Sequence, residues 1–342
     1  KTGEQDLAMD QELILPSSSS VTVNLTTEPL IDIHEEAIGL MLVAEDITRE
    51  KRVRSTMARY MTKEVMDKML ETGDTMLGGS AQEVAILFSD IRGFTPMSET
   101  LGARDTVALL NDYFTRMVDV ILDHGGMLDK YIGDAIMAVF GAPFTGENDA
   151  DSAVIVASEM LRALWSLNQE REKKGTQPIR IGVGVSFGEV VAGNIGSPRR
   201  MDYTVIGDSV NLASRLESAN KFYGTSILLG EQVVNRLHQR HRMRELDLVR
   251  VKGKTQPVRI YELLEYHTPL TFPNMDRVVK AFEHGLKHYR ERQWQDAADS
   301  FDKALKANPN DGPSQVYMRL AAHYATHPPG EEWTVARTLL EK

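Results

Sequence analysis

The sequence predicts an α+β fold: a ferredoxin-like βαββαβ core with an antiparallel sheet, preceded by a partial strand segment and a helix, and followed by an α-helical tail. Three observations carry this. The apolar run Val84 to Phe88 ends on Ser89-Asp90 and leads into the glycine turn Arg92-Gly93. Leu128 to Phe140 alternates on both sides of Gly133-Asp134, as paired strands joined by a tight turn do. Long helical patterns follow each of these, from Pro96 to about His124 and from about Asp149 to Lys174. A strand from Ile179 to Phe187 then completes the β-α-β-β-α-β order.

The elements outside that core are read in chain order. At 342 residues, two or three units are expected. Residues 1–50 offer two strands, Val21 to Leu25 and Ala37 to Thr48, too few to close a core alone. Over residues 51–80 the pattern turns helical, with Val53, Met57, Met61, Val65 and Met69 on one stripe. That stripe suits packing on its own domain as well as pairing with another subunit. Residues 81–265 hold the core, a turn-rich stretch, a helix from Ser209 to Phe222, a strand from Thr225 to Leu229 and two last strands. In residues 276–342, Gly285, Tyr289, Trp294, Ala297, Ala298, Phe301, Ala304 and Pro309 fall at the spacing of a tetratricopeptide-like helical pair. One repeat is too few for a free-standing solenoid, so this tail is expected to pack on the preceding domain or continue beyond the chain.

Composition narrows the function. A net charge of −10 argues against a nucleic-acid surface. The absence of cysteine excludes disulfides, thiolate zinc sites and cysteine nucleophiles, and fits a cytoplasmic location. No apolar run approaches the roughly 20 residues of a membrane span. The first residue, Lys1, is not an initiator methionine, so the chain is expected to be a fragment.

The chemistry sits on the carboxylates. Asp90 and Asp134 each fall at the end of a buried strand, where a carboxylate must be hydrated, hydrogen-bonded or bound to a cation. Beside Asp90, the Gly93-Phe94-Thr95 turn opens a helix and offers backbone N–H groups to an anion. Carboxylates beside an anion cradle repel a bare polyphosphate, so the arrangement calls for cations between them. All-oxygen ligands point to Mg²⁺ or Mn²⁺. Asn211 and Arg215 lie four apart on one helical face, with Asp208 or Ser209 as the expected cap. Lys252 ends a strand beside Gly253.

Taken together, Phe88-Ser89-Asp90-Ile91-Arg92-Gly93-Phe94-Thr95, Lys130-Tyr131-Ile132-Gly133-Asp134 and Gly207-Asp208-Ser209-Val210-Asn211-Leu212-Ala213-Ser214-Arg215 resemble the class III nucleotidyl cyclases, over about residues 81–265. The resemblance implies that Asp90, Asp134 and the Ile91 carbonyl hold two metal ions. It places the β- and γ-phosphates on Gly93, Phe94 and Thr95, the ribose on Asn211, the α-phosphate on Arg215 and the terminal phosphates on Lys252. Lys130 and Thr204 match the family's base-reading pair in its adenylyl, bacterial-type form. A lysine donates to adenine N1, whereas guanine N1 carries a hydrogen. The implied reaction is attack of the ribose 3′-hydroxyl on the α-phosphate of ATP, giving cyclic AMP and pyrophosphate, with the proton acceptor left open.

Family members are head-to-tail dimers with shared sites, and this chain carries both halves of the set, which implies a homodimer. Ser186-Phe187-Gly188 stands where many relatives have His-Thr-Gly. The stretch ending Asp46-Ile47-Thr48 resembles the exit of a PAS sensor. Two further readings remain beside the adenylyl one: a guanylyl or diguanylate cyclase, and a regulatory scaffold binding a protein partner through the helical tail. The diguanylate motif is missing at the hairpin, and a dead scaffold predicts the loss of a site residue, yet all are present.

Overall fold

The computed structural model describes residues 6–15, 20–32, 37–48, 51, 78–197, 200–251 and 257–339. The chain divides into two compact units, Lys1–Gly73 and Asp74–Lys342.

In the first unit β1 (Asp6–Ile14), β2 (Ser20–Ile31) and β3 (Ala37–Asp46) form an antiparallel sheet in the order β1-β2-β3. The β1 strand forms from a stretch that the sequence marks only as polar. Of the described hydrophobic residues here, Val23 alone is buried, while Ile38, Leu40 and Leu42 are exposed. Three strands do not close a core. The helical stripe from Val53 to Met69 lies outside the described residues.

The second unit is built on β4 (Gly78–Ile91), α1 (Phe94–Leu101), α2 (Ala103–Asp123), the hairpin β5 (Met127–Ile132) and β6 (Ala135–Phe140), α3 (Asp149–Lys173) and β7 (Ile181–Ser197). These strands lie in the order β7-β4-β6-β5, all antiparallel, the order of a ferredoxin-like sheet. The β4–β7 ladder runs unbroken from Gly78 opposite Asn194 to Ile91 opposite Ile181. Leu87, Ile136, Ala138 and Val183 meet Tyr113 and Met117 of α2 and Val156 and Met160 of α3 in one core. Burial on this scale is what holds the strand ends rigid under the site.

Several elements differ from expectation. The single helix from Pro96 breaks into α1 and α2 at Gly102, whose φ of 76° a side chain would resist. The turn-rich stretch is instead an extension of β7 paired with β8 (Arg200–Ile206), with Thr204 opposite Gly193. After α4 (Asp208–Tyr223) come β9 (Ile227–Gly230), a short α5 (Glu231–Arg236), β10 (Met243–Val251) and β11 (Val258–Leu263). The pair β7–β9 is parallel, so antiparallel pairing describes the four-stranded core and not the whole sheet.

The tail forms three helices, α6 (Met275–Arg290), α7 (Trp294–Ala307) and α8 (Gly312–Thr326), and a strand β12 (Arg337–Leu339) that joins β10 in parallel. A Cβ on Gly285 would fall 2.6 Å from the Phe301 ring, so glycine lets α6 and α7 close together. Phe282, Leu286, Tyr289 and Tyr317 share a core with Leu246, Val249 and Ile260 of the sheet and with Leu216 and Tyr223 of α4. The tail therefore packs on the preceding strands. Among the described residues no helix is long and apolar enough to cross a membrane.

Candidate active site

Two carboxylates define the centre. Asp90 is the penultimate residue of β4, and Asp134 occupies the two-residue turn between Ile132 and Ala135, which face each other in the β5–β6 ladder. Gly133 takes φ of 66°, the positive angle such a turn requires. The hairpin brings Asp134 beside Asp90. Burial and the nearness of Asp90 push the Asp134 carboxyl up to about 7, against the pull of backbone N–H groups at Asp134 and Ile91. Two carboxylates this close cannot both stay ionised without help.

The closeness of the two carboxylates is the test of the metal reading. Hard divalent cations would offset their mutual repulsion through all-oxygen ligands. Among the described residues no group of three or more acidic, histidine or cysteine side chains gathers, so the side chains that would hold a cation here are the two carboxylates. Two carboxylates leave most of a hard cation's oxygen sites for a substrate and water.

Beside the pair, Gly93 starts α1 with φ of 68° and no side-chain cap, and a Cβ there would meet open space. Phe94 packs on the core and Thr95 is exposed. The first N–H groups of α1 therefore open beside the acidic pair.

A second group forms around a residue that sequence reasoning missed. Asp129 falls between Leu128 and Lys130, where the β5–β6 register shifts by one residue. The bulge breaks the alternation, so neighbouring side chains meet. Thr204 Oγ1 donates to Asp129 Oδ2 at 2.7 Å, and Lys130 Nζ lies 3.4 Å from Oδ1. Burial pushes the Asp129 carboxyl up, and Thr204, Lys130 and the Val205 N–H pull it back. An acidic residue interrupting a strand's alternation beside Lys130 was the available signal.

A third group lies on α4, where Asn211 is exposed and Arg215 half-buried. The helix is seated hard on β7. A Cβ on Gly184 would collide with the Ala213 carbonyl and the Glu217 amide. Asn220, fully buried, donates to the Val183 carbonyl at 2.9 Å. Ser186 Oγ donates to the Ser209 carbonyl at 2.5 Å, which gives the Ser-Phe-Gly variation a role in holding the helix start. The cap of α4 is Gly207, with no side-chain hydrogen bond, rather than Asp208 or Ser209, because Asp208 already lies in the first turn. Lys252 lies outside the described residues.

Comparison with known proteins decides the family. The model of the adenylate and guanylate cyclase catalytic domain matches residues 78–265, more than half of the chain. The chain belongs to this cyclase family. It is 43% identical over 191 residues to an adenylate cyclase of Anabaena cylindrica, covering 54% of this chain and 37% of that protein. Against adenylate cyclase 1 of Rhizobium meliloti the identity is 32% over 237 residues, covering 68% of this chain and 35% of the relative. The chain thus spans little more than a third of these curated relatives. Among solved structures, the adenylyl cyclase CyaB from P. aeruginosa aligns with TM-score 0.52 at 37% identity, covering 56% of this chain and 98% of that one. The guanylyl cyclase Cya2 aligns with TM-score 0.51 at 40% identity, covering 56% and 97%. The cyclase domain holds the Asp90–Asp134 pair, the Lys130–Asp129–Thr204 group and the α4 face as three clusters, each built by its own local geometry.

Proposed function

We propose that this chain is an adenylyl cyclase that converts ATP to 3′,5′-cyclic AMP and pyrophosphate, working in the cytoplasm as a head-to-tail homodimer. The observation that carries the reading is the pair of neighbouring carboxylates, Asp90 at the end of β4 and Asp134 in the β5–β6 turn, in a chain of the cyclase family. In this reading Asp90, Asp134 and the Ile91 carbonyl hold Mg²⁺ or Mn²⁺, two ions to a site. When bound there, such ions would offset the charge of the triphosphate and make the ribose 3′-hydroxyl more acidic. Gly93, Phe94 and Thr95 bind the β- and γ-phosphates through their backbone. Asn211 orients the ribose, Arg215 meets the charge that grows on the α-phosphate, and Lys252 holds the terminal phosphates.

The dimer places the acidic pair of one protomer against Lys130, Thr204, Asn211 and Arg215 of the other. Exposed apolar side chains near the second group support a covered face: Tyr131 and Ile132 follow Lys130, and Val191 and Ile206 are partners in the β7–β8 ladder. Lys130 donates to adenine N1 and Thr204 accepts from the 6-amino group, which favours ATP.

A guanylyl cyclase is the second reading, favoured by the 40% identity to Cya2. Product analysis separates the two. Purified protein with Mg²⁺ or Mn²⁺ is expected to make cyclic AMP from ATP and little cyclic GMP from GTP, and a preference for GTP would overturn the adenylyl reading. Lys130→Glu combined with Thr204→Cys is expected to erode the ATP preference. Unchanged selectivity would remove these two residues from base reading.

A further inference from the structure

Asp129 is 1% exposed in its side chain and carries no role in the reading above. It bridges strands of separate ladders, since β5 pairs with β6 and β8 pairs with β7. Its two oxygens are used differently. Oδ2 accepts the Thr204 hydroxyl at 2.7 Å, and Oδ1 accepts no hydrogen bond while Lys130 Nζ stands 3.4 Å away. The lysine side chain remains 40% exposed, so it is held near the carboxylate without being consumed by it.

The consequence lies in the hydroxyl's single hydrogen. A threonine hydroxyl has one donor hydrogen and two acceptor lone pairs, and rotates to suit its neighbours. Left free, Thr204 could turn its hydrogen toward the 6-carbonyl of guanine as readily as it could accept from the 6-amino group of adenine. A carboxylate only accepts, so Asp129 claims that hydrogen. Thr204 then presents only lone pairs to whatever else reaches it. Adenine offers an amino donor at position 6 and guanine an acceptor oxygen.

We propose that Asp129 is a specificity-determining positioning residue: it fixes Thr204 as an obligate acceptor and keeps the Lys130 ammonium beside it, so the pair reads a 6-aminopurine and rejects a 6-oxopurine. The inference rests on the proposed adenylyl function and deepens it. Asp129 itself does not touch the base. Its effect therefore appears as a ratio between substrates, which a general loss of folded protein cannot produce.

The test measures kcat/KM for ATP and GTP in the wild type, Asp129→Asn, Thr204→Val and the double variant. An asparagine can offer its amide hydrogens to Thr204 and free the hydroxyl hydrogen, so the ATP-to-GTP ratio is expected to fall roughly tenfold in Asp129→Asn. In the Thr204→Val background the same change is expected to leave the ratio as Thr204→Val alone sets it. A ratio in Asp129→Asn within about twofold of the wild type overturns the inference, as does a double variant showing the full additional Asp129 effect. A readout needing no change at Asp129 accompanies it: purine riboside triphosphate, which lacks the 6-amino group, is expected to be turned over at least several-fold less efficiently than ATP by the wild type. Equal efficiency overturns the acceptor role. A wild type that makes no cyclic AMP, or prefers GTP, sinks the adenylyl reading itself. An ATP-selective wild type with an unmoved Asp129→Asn ratio sinks this inference alone.

Discussion

Arg244 of β10 and Asp311 at the start of α8, 67 residues apart, meet in a two-pronged ion pair, Nη1 to Oδ2 at 3.1 Å and Nη2 to Oδ1 at 2.6 Å. Both side chains are almost fully buried. Asp311 also accepts the Ser314 N–H at 3.1 Å, so one carboxylate caps the last long helix and ties it to the sheet. Removing it leaves Glu262 to balance the charge but strips two hydrogen bonds from a buried guanidinium and the cap from α8. Asp311→Ala is expected to destabilise the second unit by about 2–4 kcal/mol. Urea unfolding of the full chain checks this, and a change below about 1 kcal/mol would show that the pair does not hold the tail in place.

Glu262 completes the cluster, accepting Arg244 Nε at 2.7 Å. One cation faces two carboxylates, which leaves a surplus negative charge in the interior. Burial pushes the Glu262 carboxyl up to about 7, with Asp311 adding to the rise and Arg244 opposing it. The folded protein thus binds a proton over a range where the unfolded chain, with its ordinary carboxylate near 4.5, has released it. This contribution to stability is full below about pH 4.5 and lost as pH rises through about 7. A fall on the order of 3 kcal/mol across that window is expected in the unfolding free energy from urea titrations. Glu262→Gln, which cannot titrate, is expected to flatten that slope.

The acidic pair makes a sharper prediction for catalysis. Asp90→Ala or Asp134→Ala is expected to abolish cyclase activity while leaving the protein folded and its oligomeric state unchanged, judged by circular dichroism and sedimentation. In a shared-site dimer, inactive Asp134→Ala and inactive Asn211→Ala protomers complement each other, because one hybrid site keeps both halves. Random pairing makes about half of the dimers mixed, each with one intact site of two, so recovery to about a quarter of wild-type activity is expected. No recovery, with heterodimers demonstrated, would show that each site is built within one protomer.

The sequence exposed local devices well and distant ones poorly. Asp90 and Asp134 were legible because a strand end and a glycine turn are local patterns, and the turn itself brings the second aspartate to the first. Asp129 was hidden because a bulge between Leu128 and Lys130 decides where it points, and a bulge leaves no composition signal. Thr204 was legible as a motif match but not as part of a strand, since the glycines of Gly193 to Gly196 read as turns. That Tyr317 donates to the Leu246 carbonyl, 71 residues earlier, at 2.9 Å is a tertiary fact that no helical periodicity carries.

Gly184 links that packing to the proposed site on α4. It lies on β7 beneath α4, and a methyl group there would collide with the Ala213 carbonyl and the Glu217 amide, both backbone atoms that cannot swing aside. Gly184→Ala must therefore push away the helix that carries Asn211 and Arg215. Overpacking of this kind costs about 1–3 kcal/mol of stability, which a domain with this core can survive. Misplacing catalytic groups by about an ångström can cost on the order of 10²-fold in rate. The variant is expected to remain folded with kcat lowered at least tenfold. Steady-state kinetics beside a thermal melt distinguishes this from simple unfolding, and wild-type kcat in a folded Gly184→Ala protein would show that the position of α4 does not limit the reaction.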